Sequence, residues 1–370
     1  MLHTHRYGRC FEDFEVSAVF AHPWEVTLDE GMLALFYASF QDALPTYASR
    51  IFARALGLRD RPVHPLLLLN LGIGFSVHDV SEQAIANIAY LDVYFPNACY
   101  VGDTVSARSC VVGLKPVSQG NKGVVHVRTE LVNQDDAPVC VFERKALVRG
   151  GHNAQRPPHP APSHPTLMSA DPGDARRYPK LGFEAGGESL KPGRFPMFYE
   201  DFGVGDVFVH DVGRTVSEAE HMQLTTLTRN SHPLHFDERY CQSGSFAKTR
   251  VVFGGLVLSW VLSLSSRDTA GNALWDVGLT DGAHPGGVVA GDTLFAATKV
   301  LAKEEAGDGL GLVTLRVVGL KNLPAKLVLE PKGEGDLFTA ELGKSEGKVK
   351  EKVVEITRTL LMRKRFSAQP

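Results

Sequence analysis

The last quarter of the chain alternates between apolar and polar positions: "DTLFAATKVLA" from Asp292, "LVTLRVVGLK" from Leu312, "KLVLEP" from Lys326 and "KVVEITRTLLM" from Lys352. A period of two belongs to strands with one buried face. Turns such as "AGDG" (306–309) separate the runs, so they predict an antiparallel sheet. Two upstream stretches have a helical period. "SEAEHMQLTTLTRN" from Ser217 is amphipathic and predicts a helix opened by the capping box Ser217-x-x-Glu220. Asn230 at its end reads as a left-handed stop, and Pro233 keeps the chain from continuing as helix. "VVFGGLVLSWVLSL" from Val251 is apolar almost throughout and predicts a helix starting near Val252 that must be wrapped on all sides. It is too short to span a bilayer.

The pattern occurs twice. "FEDFEVSAVFAHPWEVTLDEGMLALF" from Phe11 returns about 188 residues later as "YEDFGVGDVFVHDVGRTVSEAEHMQL" from Tyr199. "DALPTY" (42–47) matches "NSHPLH" (230–235), "VGDTVSARSCVVGLK" from Val101 matches "AGDTLFAATKVLAKE" from Ala290, and each half ends in an alternating strand, "VFERKALVR" or "ITRTLLMRK". A duplication of this length means two copies of one domain, expected at 1–150 and 197–366. In the first copy the helix is expected to open with Thr27-x-x-Glu30. Residues 151–196, rich in Pro, Gly and His, read as an extended linker without zinc-type spacing. One apolar helix wrapped by a curled antiparallel sheet in each copy gives an α+β architecture.

Composition narrows the function. In 370 residues, 44% are apolar and 22% charged, and the net charge of −3 gives no electrostatic reason to expect nucleic acid. Cys10, Cys99, Cys110, Cys140 and Cys241 are scattered, as expected of reduced thiols, and "MLHTHRYGRCFEDF" contains no apolar run ahead of a cleavage site, so no export is expected. A cytoplasmic protein with no membrane partner is expected. There is no G-x-S-x-G, and "GDGLGL" lacks dinucleotide-loop spacing, so neither a serine hydrolase nor a nicotinamide, flavin or metal enzyme is expected.

The candidate chemistry lies in "TRNSHPLHFDERY" (228–240), where Asn230 and His235 stand five residues apart, and at Gly254 and Gly255, which open the apolar helix. Glycines at a helix amino end allow close approach of a ligand to unpaired N–H groups, an oxyanion hole for a carbonyl; tight packing of helix on sheet is the other reading. The order of helix, N-x-x-P-L-H loop, V-V-F-G-G helix and A-G-D-T-L strand resembles the MaoC-like branch of the (R)-specific enoyl-CoA hydratases. The resemblance implies a tandem (double) hot-dog fold. Two copies in one chain, with "AIANIAYLDVYFPNACYVGDTV" from Ala84 and "LTDGAHPGGVVAGDTLFAATKVL" from Leu279, are similar to the mesaconyl-CoA hydratases (β-methylmalyl-CoA dehydratases).

That resemblance implies roles. His235 corresponds to the histidine that activates water, and Asn230 stands where the family has its catalytic aspartate. Gly255 falls on the oxyanion glycine, and Gly254 replaces the histidine that often precedes it. In the first copy the same loop positions are Asp42, Pro45 and Tyr47, which implies a catalytically degenerate copy that still shapes the acyl pocket through Asn87 and Tyr90. His235, with imidazole's ordinary pKa of about 6.5, would take a proton from water and return it to the α carbon, while the carbonyl oxygen of Asn230 orients the water. Arg229, Arg250 and His284 are candidates to hold a second carboxylate, Arg250 being retained as the substrate-binding choice. The expected substrate is an acyl-CoA, mesaconyl-CoA first. Hydration of itaconyl-CoA, of the mesaconyl isomer with CoA on its other carboxylate or of a straight-chain enoyl-CoA, thioester hydrolysis, and acyl-CoA binding without catalysis stand as alternatives. The chain already holds a hot-dog pair, so further pairing into a homodimer is optional.

Overall fold

The alternating runs become strands and the apolar runs become central helices. The computed structural model describes residues 8–118, 120–152, 177–182, 197–307, 309–341 and 347–365, with the side chains of 331–336 left aside. The first copy comprises β1 (Val19–Thr27), α1 (Glu30–Phe40), α2 (Pro45–Ala48), α3 (Arg50–Ala55), α4 (Pro65–Ser76), β2 (Ala84–Tyr94), β3 (Thr104–Pro116), β4 (Lys122–Val132) and β5 (Pro138–Arg149). The second comprises β6 (Val207–Thr215), α5 (Glu218–Leu227), α6 (Glu238–Gly244), α7 (Gly254–Thr269), β7 (Ala273–Ala283), β8 (Thr293–Glu305), β9 (Leu310–Lys321), α8 (Ala325–Phe338) and β10 (Lys352–Arg363).

All ten strands form one antiparallel sheet in the order β1-β3-β4-β5-β2-β7-β10-β9-β8-β6. The second half of that order repeats the first in reverse, as a two-fold relation between copies requires. The seam is β2 against β7, with Val93 opposite Leu279 and Tyr94 opposite Gly278. Each strand turns alternate residues toward its helix, as β3 does with Val105, Ala107, Ser109 and Val111. The buried side chains of both copies merge into one core. Polar contacts cross the boundary as well: the indole of Trp260 donates to the Ser39 carbonyl (3.2 Å), and Thr46 Oγ1 donates to that of Leu274 (2.7 Å).

Where α4 meets α7, Asn70 Nδ2 donates to Ser259 Oγ at 2.9 Å and to the Leu66 carbonyl at 2.7 Å. Gly255 makes this approach feasible, because a Cβ there would lie 2.0 Å from Asn70 Oδ1. The glycine therefore serves helix-on-helix packing rather than helix-on-sheet packing.

Four local expectations need correction. "KLVLEP" is not a strand but the first half of α8. At helical spacing it lays Ala325 and Val328 against Ala297, Val318 and Leu320 on the outer face of the sheet, whereas in the first copy a short turn joins β4 to β5 with no helix between them. Neither capping box forms. Glu220 pairs with Arg214 instead of capping Ser217, and α1 is capped by Asp29, whose Oδ1 accepts from Met32 N–H at 2.8 Å while Thr27 bonds across the sheet to Thr104. Helix α7 begins at Gly254, two residues later than expected. Most of the linker at 151–196 lies outside the described residues. Of the part that is described, Arg177 clamps Asp92 through two bonds of 2.9 and 2.8 Å and covers the Tyr94 ring.

Candidate active site

Helix α5 ends at Leu227, and the residue that turns left-handed after it is Arg229 (φ +58°), not Asn230. The turn returns Asn230 beneath its own helix, its N–H donating to the Thr225 carbonyl at 3.2 Å. Asn230 is buried, and its Oδ1 accepts from His232 N–H at 3.1 Å. The carbonyl end expected to orient water thus already accepts one bond, while the NH2 has no partner among the described residues. Residues Pro233–His235 form one 3₁₀ turn capped by His232, whose Nδ1 accepts from Leu234 N–H at 3.1 Å. With Nδ1 an acceptor, Nε2 carries the proton and donates to the Ala84 carbonyl of the first copy at 3.1 Å. This contact fastens the loop across the domain boundary. Gly74 of α4 lies so close beneath it that a Cβ there would sit 1.8 Å from the Thr228 carbonyl oxygen.

His235 is oriented the opposite way. Its Nδ1–H donates to the Val251 carbonyl at 2.8 Å, so Nε2 is an unprotonated acceptor. Burial, then the neighbouring His232, push its pKa from the ordinary 6.5 down to about 3, with the Val251 carbonyl opposing. This replaces the expectation of an unperturbed imidazole: the ring is neutral throughout the physiological range.

His235 and Asn230 line a cavity of about 440 Å³ between the copies. The second copy supplies His232, Phe253, Gly254 and the His284–Val288 strip, and the first supplies Ser81, Ala84–Asn87, Tyr90 and Arg144. Exposed Ile85 and Phe246 flank its mouth. Asn87 and Tyr90 both line this cavity. Burial raises the Tyr90 hydroxyl to about 12. His284 meets the Tyr90 ring edge-on at 5.7 Å, donates from Nδ1 to the Val353 carbonyl at 3.3 Å, and is brought by burial down to about 4. Gly254 faces it, since a Cβ there would lie 2.9 Å from His284 Nε2.

Three other expectations change. At the head of α7 it is Gly254, not Gly255, that lines the cavity; Gly255 lies one residue deeper, against Asn70. The first amides of the helix still open there without partners inside it. Arg250 is not in the wall, because its guanidinium is taken by Glu218 and Glu238. Arg229 is exposed and stacks on Trp24 at 5.6 Å.

Sequence reasoning missed Arg144. It is 2% exposed, projects into the cavity wall from β5, and donates from Nη2 to Ser76 Oγ (2.9 Å) and Ser81 Oγ (3.1 Å). Those serines lie where α4 loosens into a π turn, Val77–Ser81. The signal was its parity: Phe142, Arg144, Ala146 and Val148 share the inward face of one strand, and a charge there needs a reason.

The two-fold-related site, built from the Asp42–Tyr47 loop, is filled. Tyr47 is fully buried and packs on Trp275 at 5.3 Å. Asp42 accepts from Leu44 N–H at 2.9 Å and approaches His64 at 3.7 Å, so an acid and a histidine do meet there, from different sequence positions than in the second copy. Arg358 binds Asp276 through Nε and Nη2 (3.1 and 2.7 Å), with Asp42 at 3.8 Å.

A chain of two hot-dog units with a cavity at their seam, lined by Asn230 and His235 of the second, is of the MaoC-like dehydratase class. A solved MaoC domain dehydratase from Chloroflexus aurantiacus superposes with a TM-score of 0.80 at 30% identity, covering 97% of this chain and 98% of the other. A Mycobacterium tuberculosis protein described as a double hotdog fold gives 0.70 at 22% identity, covering 96% and 98%, and supports the fold alone. The model of the mesaconyl-CoA hydratase family matches residues 2–322, and the chain belongs to that family. Mesaconyl-CoA hydratase of Cereibacter sphaeroides is 36% identical over 316 residues, 85% of this chain and 90% of the relative. β-Methylmalyl-CoA dehydratase of Chloroflexus aurantiacus is 34% identical over 321 residues, 86% and 89%.

Proposed function

We propose that this protein adds water reversibly to the double bond of mesaconyl-CoA, giving β-methylmalyl-CoA, and that its second copy does the chemistry. The names of its relatives supply the substrate. The observation that carries the mechanism is the His235 Nδ1–H bond to Val251, which leaves Nε2 of this cavity-lining residue an unprotonated acceptor and supports its use as the base.

In this mechanism the thioester carbonyl accepts hydrogen bonds from the first amides of α7, at Gly254 and Gly255. Charge drawn into the carbonyl leaves the β carbon open to water and stabilises the enolate. His235 Nε2 takes the proton of the attacking water. The resulting imidazolium is strongly acidic in this buried setting, so it returns the proton to the α carbon on the same face, a syn addition by one group. The NH2 of Asn230 donates to the water oxygen and, in the reverse direction, to the departing hydroxyl. An amide suffices because no step asks it to take a proton. The first copy acts as a wall: its own loop is packed shut around Tyr47, which cannot replace an imidazole as a neutral-pH base.

The test is to add mesaconyl-CoA and follow loss of the enoyl-thioester absorbance, with thiol detection alongside. Hydration without release of free CoA supports the reading, whereas thiol release would mean a thioesterase. His235→Ala is expected to lower kcat by about 10²–10⁴-fold with the fold intact, and Asn230→Ala by less. Near-normal hydration by His235→Ala would refute the mechanism.

A further inference from the structure

The duplication provides an internal control for the cavity. Sheet register sets Arg144 opposite Tyr90 on β2 and Arg358 opposite Leu279 on β7. The V-G-D-T and A-G-D-T segments, offset by 189 residues, make Tyr90 and Leu279 equivalent, so Arg144 and Arg358 are the same residue in two copies. By the same offset Asn87 corresponds to Asp276, and the loop match pairs Asn230 with Asp42. The filled site therefore surrounds its arginine with two carboxylates, at 2.7 and 3.8 Å. In the open site both positions are amides.

Arg144 is consequently a buried cation with two serine hydroxyls as its side-chain partners and no carboxylate within ion-pair distance among the described residues. Its Nε has no acceptor. A guanidinium in such a place is costly unless an anion completes it. Burial lowers Arg144 to about 10, whereas in Arg358 the effect of burial is outweighed by Asp276 and Asp42, which raise it.

We propose that Arg144 is the anchor for the free carboxylate of the acyl group, the substrate supplying the negative charge that Asp276 and Asp42 supply in the closed copy. This deepens the function proposed above and rests on it for the identity of the acyl group. In mesaconyl-CoA the free carboxylate is attached to the carbon that water attacks, so the anchor also neutralises a charge that would repel the incoming oxygen. The serines of the π turn hold the guanidinium in place. The neutral amides of Asn87 and Asn230 leave it uncompensated until substrate arrives.

The experiment compares wild type, Arg144→Gln and Asn87→Asp. Binding is measured by calorimetry with two unreactive thioesters, methylsuccinyl-CoA, which carries a free carboxylate, and butyryl-CoA, which does not. Hydration of mesaconyl-CoA is assayed in parallel. Wild type is expected to prefer the carboxylated ligand, and both variants to weaken it by about 100-fold or more while changing butyryl-CoA binding less than about 5-fold. Asn87→Asp carries the test by itself if Arg144→Gln is misfolded by circular dichroism, because it leaves the arginine in place and supplies a competing carboxylate. Equal effects on both ligands, or none on either, would overturn the anchor even if wild type hydrates mesaconyl-CoA. Arg144-dependent preference for the carboxylate without hydration would overturn the catalytic reading and leave the anchor standing.

Discussion

Removing the charge from Asp276 offers a test of how the closed half of the molecule is held together. Asp276→Asn preserves shape and removes the partner whose Oδ2 accepts from Arg358 Nε at 3.1 Å and Nη2 at 2.7 Å. At an effective dielectric constant of about 20, unit charges at 2.7 Å attract by about 6 kcal/mol. Asp42 at 3.8 Å remains, worth about 4 kcal/mol on the same scale, but it is shared with His64. The variant also escapes the cost of burying a carboxylate. The expected net loss is about 3–5 kcal/mol, the usual consequence of leaving one member of a buried pair behind. That is a large part of an ordinary domain stability of about 5–15 kcal/mol. Urea unfolding followed by tryptophan fluorescence reads it, since Trp275 packs on Tyr47 at this site. Replacing Arg358 with methionine in the same chain should recover much of the loss, because an apolar pair needs no partner. A loss below about 1 kcal/mol in Asp276→Asn would show that the ion pair does not hold this half closed.

Four other outcomes follow from the same geometry. His232, His235 and His284 are pushed by burial to about 4, 3 and 4, so the folded protein binds fewer protons than the unfolded chain below pH 6.5. Stability contributed by these groups is therefore present above that pH and lost as pH falls toward 4, by about 2 kcal/mol per imidazole at pH 5. His284→Asn should reduce the difference in urea midpoint between pH 7 and pH 5, and an undiminished difference would count against the assignment. The acid limb of kcat/KM in the free enzyme should likewise fall well below pH 6.5, and a limb near 6.5 would mean that His235 is not the buried base described here. Gly74→Ala forces a methyl group against the Thr228 carbonyl, where a Cβ would sit at 1.8 Å, and should cost about 3 kcal/mol or more with loss of activity; wild-type stability and activity would exclude this close approach. Val328→Asp places a charge under α8 against Val318 and Leu320 and should cost about 2–4 kcal/mol in urea unfolding, an effect a solvent-facing position would not show.

What the sequence determined by itself was periodic or repeated. A two-residue alternation is enough to define a strand face, an apolar stretch wrapped on all sides defines a central helix, and a duplication 188 residues apart implies a two-fold pair. The N-x-x-P-L-H loop located His235 because a proline turn after an amphipathic helix is a local signal. Other features depend on partners far along the chain. Which end of Asn230 is already engaged is decided by His232 N–H, the tautomer of His235 by a carbonyl 16 residues away, and the spacing of Gly255 by Asn70 on another helix. "KLVLEP" has too few residues for its period to be read, and as helix it packs Ala325 and Val328 on Ala297, Val318 and Leu320, partners the local sequence does not reveal. Strand parity marks Arg144 as inward-facing, but for neither Arg144 nor Arg250 does the sequence name the partners. Only the tertiary structure gives Arg250 two glutamates and leaves Arg144 without a carboxylate at the seam, because charge compensation depends on what the fold brings within a few ångströms.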